Sequence, residues 1–217
     1  MPKNITAFDI GESQVKVVSL AGGFVKRAEV LELPDNVVAG GTVVSMDALA
    51  DFLREKKLGR GRAGVILPDR LVFRRNVTVP PMTDAQLSYN LPFEFKDYLT
   101  QEKGRYFFDY AIQGLEKDDE GQVEGMELFA CATLKTTIED YRNMFRRAGF
   151  NMKLALPEEC AFGNLAKFHA RQNPGHDGDV CIVDIGYRGT RMYIYREGQF
   201  RTRRAVDLGL WDLVQQL

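Results

Sequence analysis

A five-residue pattern occurs twice, near the two ends of the chain: Ala7-Phe8-Asp9-Ile10-Gly11 and Ile182-Val183-Asp184-Ile185-Gly186. Each copy is an apolar strand that ends in Asp, Ile and Gly. Each opens the same succession of turn, strand, Gly-containing turn and strand. One Asp-Ile-Gly after a strand says little, because Asp and Gly are common turn formers. Two copies in the same context point to a fold built around two matched meanders.

The residues around each copy read as follows. Segments 5–8, 15–20 and 25–33 are three strands separated by Gly11 and by Gly22-Gly23. A helix over 45–57 carries Leu49, Phe52 and Leu53 on one face and stops at Gly59, and a strand over 63–67 ends at Pro68. After the second copy, strands over 180–184, 192–195 and 200–206 close the pattern. Residues 210–217 begin a helix that the sequence does not finish, so a further domain is expected downstream.

Between the meanders, residues 71–149 read as a small inserted α+β unit. A strand over 72–79 ends at Pro80-Pro81, and Thr83 with Gln86 forms a capping box for a helix that Pro92 should kink or divide. Strands over 106–113 and 126–133 are joined by an acidic stretch, 116–125, expected as an exposed loop. Thr136 with Glu139 should cap a second helix, whose stripe Ile138, Tyr141, Phe145 and Ala148 stops at Gly149. A strand over 152–156 and a helix over 158–171, with Pro157 at its first turn and a break at Asn173-Pro174-Gly175, restore the α/β order. The expected architecture is α/β: a core of residues 1–70 and 150–217 with residues 71–149 inserted.

Paired Asp-Ile-Gly turns suit a phosphate ligand with a metal. Gly admits close backbone approach, and successive turn amides form a nest for an anion. Mg²⁺ keeps several waters and takes one or two carboxylates plus phosphate oxygens. Asp9 and Asp184 are the candidate metal carboxylates, acting through Mg²⁺-bound water. Gly11, Glu12 and Ser13, and Gly186, Gly189 and Thr190, are the candidate phosphate turns, and Lys16 is a candidate cation beside them. Lys16 alternates with Val15 and Val17, which equally suits a lysine that faces water.

Composition narrows the alternatives. The formal net charge is −1, which gives no global reason for a nucleic-acid partner, and the basic clusters at 54–62 and at Arg201, Arg203 and Arg204 read as solvated faces. Cys131, Cys160 and Cys181 are widely spaced among apolar neighbours and read as buried reduced thiols; His169 and His176 have no metal-ligand partner at a telling spacing. No apolar run suits a spanning helix and the first residues do not resemble a signal peptide, so a cytoplasmic protein without direct membrane insertion is expected.

The stretch Phe8 to Lys16 resembles the first phosphate motif of the actin and Hsp70 ATPase superfamily, and Val183 to Thr190 resembles its second. Pro157-Glu158-Glu159-Cys160-Ala161-Phe162 falls where the connecting helix of that superfamily enters. Glu158 and Glu159 sit near where related ATPases orient the attacking water, although the macrodipole favours helix-start carboxylates anyway and capping takes precedence here. The insert is similar to the small subdomain of the type IV pilus assembly PilM family, a relative of FtsA. The resemblance rests on Val77 to Leu87, Phe93 to Leu99, Phe108-Asp109-Tyr110, Ala130 to Lys135 and Phe145 to Phe150.

That resemblance implies an actin-like, ribonuclease H-like domain whose second large domain lies outside this chain. It implies a scaffold binding ATP and Mg²⁺ at the inner face of the membrane, at most a weak ATPase, with possible self-association. It also implies a PilN-like membrane protein as partner, whose extended cytosolic tail docks between core and insert. Phe73, Val77 and Val79, alternating with Arg74, Asn76 and Thr78, would either line that groove or pack the insert. Tyr187 and Arg188 depart from the small or hydroxyl residues of the second turn, and Glu12 places a carboxylate beside the first. An FtsA-like division protein and a sugar-kinase-like phosphotransferase are the alternatives, and a fold keeping both turns as structural relics is the plainest one.

Overall fold

The computed structural model describes residues 4–173 and 179–215. His176 and the Pro174-Gly175 break lie outside them. In chain order the elements are β1 (Ile5–Ile10), β2 (Gln14–Ala21), β3 (Phe24–Glu32), β4 (Val38–Ala39), β5 (Thr42–Val43), α1 (Met46–Glu55) and β6 (Gly61–Ile66). They continue with β7 (Phe73–Val79), α2 (Asp84–Glu94), β8 (Tyr106–Lys117), β9 (Val123–Leu134), α3 (Lys135–Arg147), β10 (Phe150–Leu156) and α4 (Glu158–Gln172). The last are β11 (Val180–Ile185), β12 (Thr190–Arg196), β13 (Gln199–Val206) and α5 (Leu210–Val214).

The first meander supplies three strands of a five-stranded sheet ordered β10-β6-β1-β2-β3, with β6 parallel to both β1 and β10. Strand alternation sends Phe8, Ile10, Val15 and Val17 to one face, where they share a core with Leu49 and Leu53 of α1 and with Tyr141 and Phe145 of α3. Phe8 meets Phe145 and Phe150 at centroid distances of 4.9 and 5.2 Å. Asp9 and Lys16 therefore fall on the opposite face, away from these helices. The α1 helix starts where expected, because the Ser45 hydroxyl accepts the Ala48 amide at 3.2 Å.

The second meander is a separate three-stranded sheet, β11-β12-β13, and the intervening segment forms the sheet β7-β9-β8 backed by α2. The Thr83–Gln86 capping box is present. Three local expectations fail for physical reasons. Of the kink or division expected at Pro92, the division does not occur: α2 runs on to Glu94 and stops within a turn of the proline, which removes one hydrogen bond. The 116–125 loop is shorter, because Glu116 pairs with Gly125 and main-chain pairing continues down to a turn closed by Asp118 and Gln122. Thr136 and Glu139 do not cap α3: it begins at Lys135, leaving Thr136 inside the helix, and Leu134 at the cap position offers no side-chain acceptor. Although α3 closes the segment read as an insert, its stripe is buried with the five-stranded sheet.

Candidate nucleotide site between two hairpins

The two hairpins are built alike. Ile10 pairs with Val15 and Ile185 with Thr190, and between them the Gly11 amide donates to the Gln14 carbonyl and the Gly186 amide to the Gly189 carbonyl, both at 2.9 Å. A Cβ on Gly11 would stand 3.2 Å from the Gln14 carbonyl oxygen, and one on Gly186 3.0 Å from the Gly189 carbonyl oxygen, so both turns need glycine for close approach. Among the described residues no group accepts from the amides of Glu12 and Ser13 in the first turn or Tyr187 and Arg188 in the second. These amides remain available to an anion.

Other atoms of the turns are occupied. Glu12 points away from the turn: its two carboxylate oxygens accept the Gly40 and Gly41 amides at 3.0 and 2.6 Å, which lessens the repulsion expected of a carboxylate beside a phosphate. The Ser13 carbonyl accepts the Leu33 amide, and the Thr190 hydroxyl donates to the Leu208 carbonyl. Behind the second turn, the Leu210 and Trp211 amides of α5 donate to the Gly186 and Tyr187 carbonyls. The Arg188 guanidinium lies 4.1 Å from the Trp211 ring centroid.

The carboxylates converge on a shared patch. Asp9 faces Lys16 in register, and the Lys16 ammonium donates to it at 3.1 Å. The Asp9 charge is the main reason that Lys16 holds its proton above the ordinary lysine range. Partial burial opposes this, while Asp184 and Glu158 add to it, so charges of both hairpins and of α4 bear on one ammonium. Asp184 faces Arg191 in register, whose guanidinium stands 3.7 Å from Asp184 and 3.7 Å from Glu158. Sequence reasoning missed Arg191. The signal was there: Arg191 follows Asp184 by the interval that separates Lys16 from Asp9.

Glu158 and Glu159 are adjacent and part company. Neither caps α4, which Pro157 precedes without a side-chain acceptor. Glu158 accepts the Tyr193 hydroxyl and faces Arg191. Burial, assisted by the charges of Asp184 and Glu159, pushes its carboxyl up, with Tyr193 and Arg191 opposing. Glu159 turns the other way and is buried, accepting Arg74 Nε at 2.9 Å. Arg74 and Arg203 also hold Asp69, at 2.5 and 2.8 Å. Burial works against ionisation of Asp69, but the hydrogen bond from Arg203 and the charges of both arginines outweigh it and keep its carboxyl below the usual range. Arg203 thus belongs to a part-buried ion network, against the solvated-face reading, whereas Arg201, paired with Glu127, and Arg204 are exposed as that reading expects.

Among the described residues no three His, Cys, Asp or Glu side chains cluster closely enough to form a metal cage. Asp9 and Asp184 on separate hairpins fit Mg²⁺ held through its waters and phosphate oxygens instead.

A second feature lies on the other side of α4. A cleft of about 440 Å³ opens between β8 and β10, each the terminal strand of its sheet, with Phe108, Ala111, Leu154, Ala155, Pro157 and Cys160 among its lining residues. The apolar side chains of β7 do not line it: Val77 and Val79 are buried in the insert core with Leu87 and Phe95, and Phe73 packs against that core. Cys131 also faces the cleft, whereas Cys181 is exposed, contrary to the buried reading of all three thiols. No helix among the described residues is long and apolar enough to cross a membrane.

The sequence matches the family described as type IV pilus assembly protein PilM over residues 7–217. No curated protein matches it. Among solved structures, the chain is similar to the PilM-PilN type IV pilus biogenesis complex, with 20% identity and a TM-score of 0.80, covering 97% of this chain and 63% of that one. It is also similar to the cytoplasmic domain of EpsL, an inner membrane component of the type II secretion system of Vibrio cholerae, with 17% identity, a TM-score of 0.56, and coverage of 94% and 71%. The fold is that of the actin-like ATPases.

Proposed function

Because this chain belongs to the type IV pilus assembly PilM family, we propose that it is a cytoplasmic assembly scaffold with two sites, an Mg-ATP site between the hairpins and a cleft for an extended peptide. The observation that carries the first site is the matched pair of turns with free amides, each flanked by a carboxylate–cation pair directed at a common patch. Asp9 and Asp184 would hold the water shell of Mg²⁺, and the amides of Glu12, Ser13, Tyr187 and Arg188 would receive phosphate oxygens. Bound Mg²⁺ would supply charge neutralisation for the triphosphate. The role of Glu12 is to brace its turn against Gly40 and Gly41. Glu158 is the better placed of the two α4 carboxylates to orient a water, since Glu159 is committed to Arg74.

The partner reading rests on the cleft between β8 and β10. Two terminal strands offer main-chain groups for pairing, and the apolar lining offers pockets for alternate side chains. A PilN-like membrane protein with a short cytosolic tail fits this geometry and would hold the scaffold at the inner face of the membrane. The residues 1–70 and 150–217 would form the nucleotide-bearing core and 71–149 the insert that closes the cleft.

Calorimetric titration tests the first site. Asp9→Ala and Asp184→Ala should each weaken Mg-ATP binding by roughly 10- to 100-fold, the value of a lost charge-assisted contact, with His169→Ala unchanged. Equal affinity in all variants would remove the nucleotide reading. Fluorescence titration with the cognate tail peptide tests the second, and Ala111→Trp, which fills the cleft from an exposed position, should abolish peptide binding and leave ATP binding intact.

A further inference from the structure

Within the nucleotide reading of the hairpins, the cation of the second hairpin has no assigned role. We propose that Arg191 is a nucleotide-contacting residue, the counterpart of Lys16, which neutralises Asp184 and Glu158 in the nucleotide-free site and donates to phosphate oxygens when nucleotide is bound.

The argument begins with register. On β1–β2, Asp9 stands opposite Lys16; on β11–β12, Asp184 stands opposite Arg191. Side-chain period two then places each cation on the same sheet face as its carboxylate. Next is commitment. The other cations near the second hairpin are engaged: Arg188 lies over Trp211, Arg203 donates to Asp69, and Arg196 makes two bonds to Asp179. Arg191 alone of these four, among the described residues, has neither a ring nor a hydrogen-bond partner. It stands 3.7 Å from two carboxylates, within ion-pair range and beyond hydrogen-bond length, and among the described residues its guanidinium donates no hydrogen bond. A guanidinium with uncommitted donors, held by charge alone, is free to turn toward a better acceptor, and its planar fork matches phosphate.

Charge balance gives the direction of that turn. Asp9, Asp184 and Glu158 outnumber Lys16 and Arg191, so the patch carries an excess of carboxylate that a divalent cation would reverse. With metal on the carboxylates, the counter-ion duty of Arg191 lapses and its donors become available to the phosphates.

The test measures two affinities of the wild-type protein and of Arg191→Ala: for ATP at saturating Mg²⁺, and for Mg²⁺ alone. In Arg191→Ala the ATP affinity should fall about tenfold while the affinity for Mg²⁺ alone rises, because Asp184 and Glu158 have lost their counter-ion. Arg191→Lys should recover part of the ATP affinity. A fall in both affinities together would mark a structural role and overturn the proposal, as would wild-type ATP affinity in Arg191→Ala. A wild-type protein that binds no ATP would overturn the nucleotide reading itself, and this inference with it.

Discussion

In the β1–β2 hairpin the Gly11 amide reaches the Gln14 carbonyl at 2.9 Å, and in the β11–β12 hairpin the Gly186 amide reaches the Gly189 carbonyl at the same distance. Beneath the first lies the main core, with Val15, Val17, Phe8 and the faces of α1 and α3. Beneath the second, among the described residues only Ala166, Tyr193 and Tyr195 are buried together, and Val183 and Ile185 of β11 are more than half exposed. The first turn is braced from the side by Glu12 on two glycine amides; the second is held from behind by the first amides of α5. The same local geometry is thus reached with different support. Turn shape belongs to the few residues that make it, whereas rigidity belongs to whatever is packed around it.

That contrast can be broken most directly at the core. Phe8→Ala should cost about 3–5 kcal/mol in denaturant unfolding, as expected for a buried aromatic, whereas Tyr195→Phe should cost only about 1 kcal/mol for its bond to the Glu159 carbonyl. If the two losses were equal, the second sheet would be better supported than its core implies. Next comes the brace behind the second turn. A Cβ on Gly209 would lie 2.4 Å from the Tyr187 carbonyl oxygen and 2.6 Å from the Gly189 nitrogen, so Gly209→Ala should cost about 1–3 kcal/mol. Its mark would be faster amide exchange over 186–189 with little change over 11–14. Loss of the side brace should be milder: Glu12→Ala should cost about 1 kcal/mol and loosen Gly40 and Gly41 in the same experiment.

The smallest effect concerns acidity. Burial raises the folded-state pKa of Glu158, so its contribution to stability is present below the unfolded value and is lost as pH rises through the folded value. Ionised Glu158 is therefore a cost near neutrality, and Glu158→Gln, which keeps an acceptor for Tyr193, should raise Tm slightly at about pH 7 and lose that gain near pH 4. A gain independent of pH would refute the burial argument.

The hairpins were legible because their information is local: Asp, Gly and alternating apolar residues declare a strand and its turn without reference to the rest of the chain. The capping box at Thr83 and Gln86 was legible for the same reason. The failure at Thr136 and Glu139 shows the limit of that logic, since β9 continues to Leu134 and its pairing with Tyr106 sets where α3 begins. The divergence of Glu158 and Glu159 was not readable either. Adjacent residues on a helix point in directions about 100° apart, and only the packed positions of Tyr193 and Arg74 decide which faces which partner. Nor could the cleft be placed, because β8 and β10 meet across it from distant parts of the sequence.

Two of the cleft's lining residues are thiols, and burial pushes the Cys160 sulfur up to about 11 and raises Cys131 as well. Near neutral pH the nucleophilic form of Cys160 is then about one molecule in ten thousand, while Cys181 stands exposed on β11. The chain carries its own chemical clock: alkylating reagents should mark Cys181 first, and a peptide seated in the cleft should slow the reaction of Cys160 further while leaving that of Cys181 unchanged.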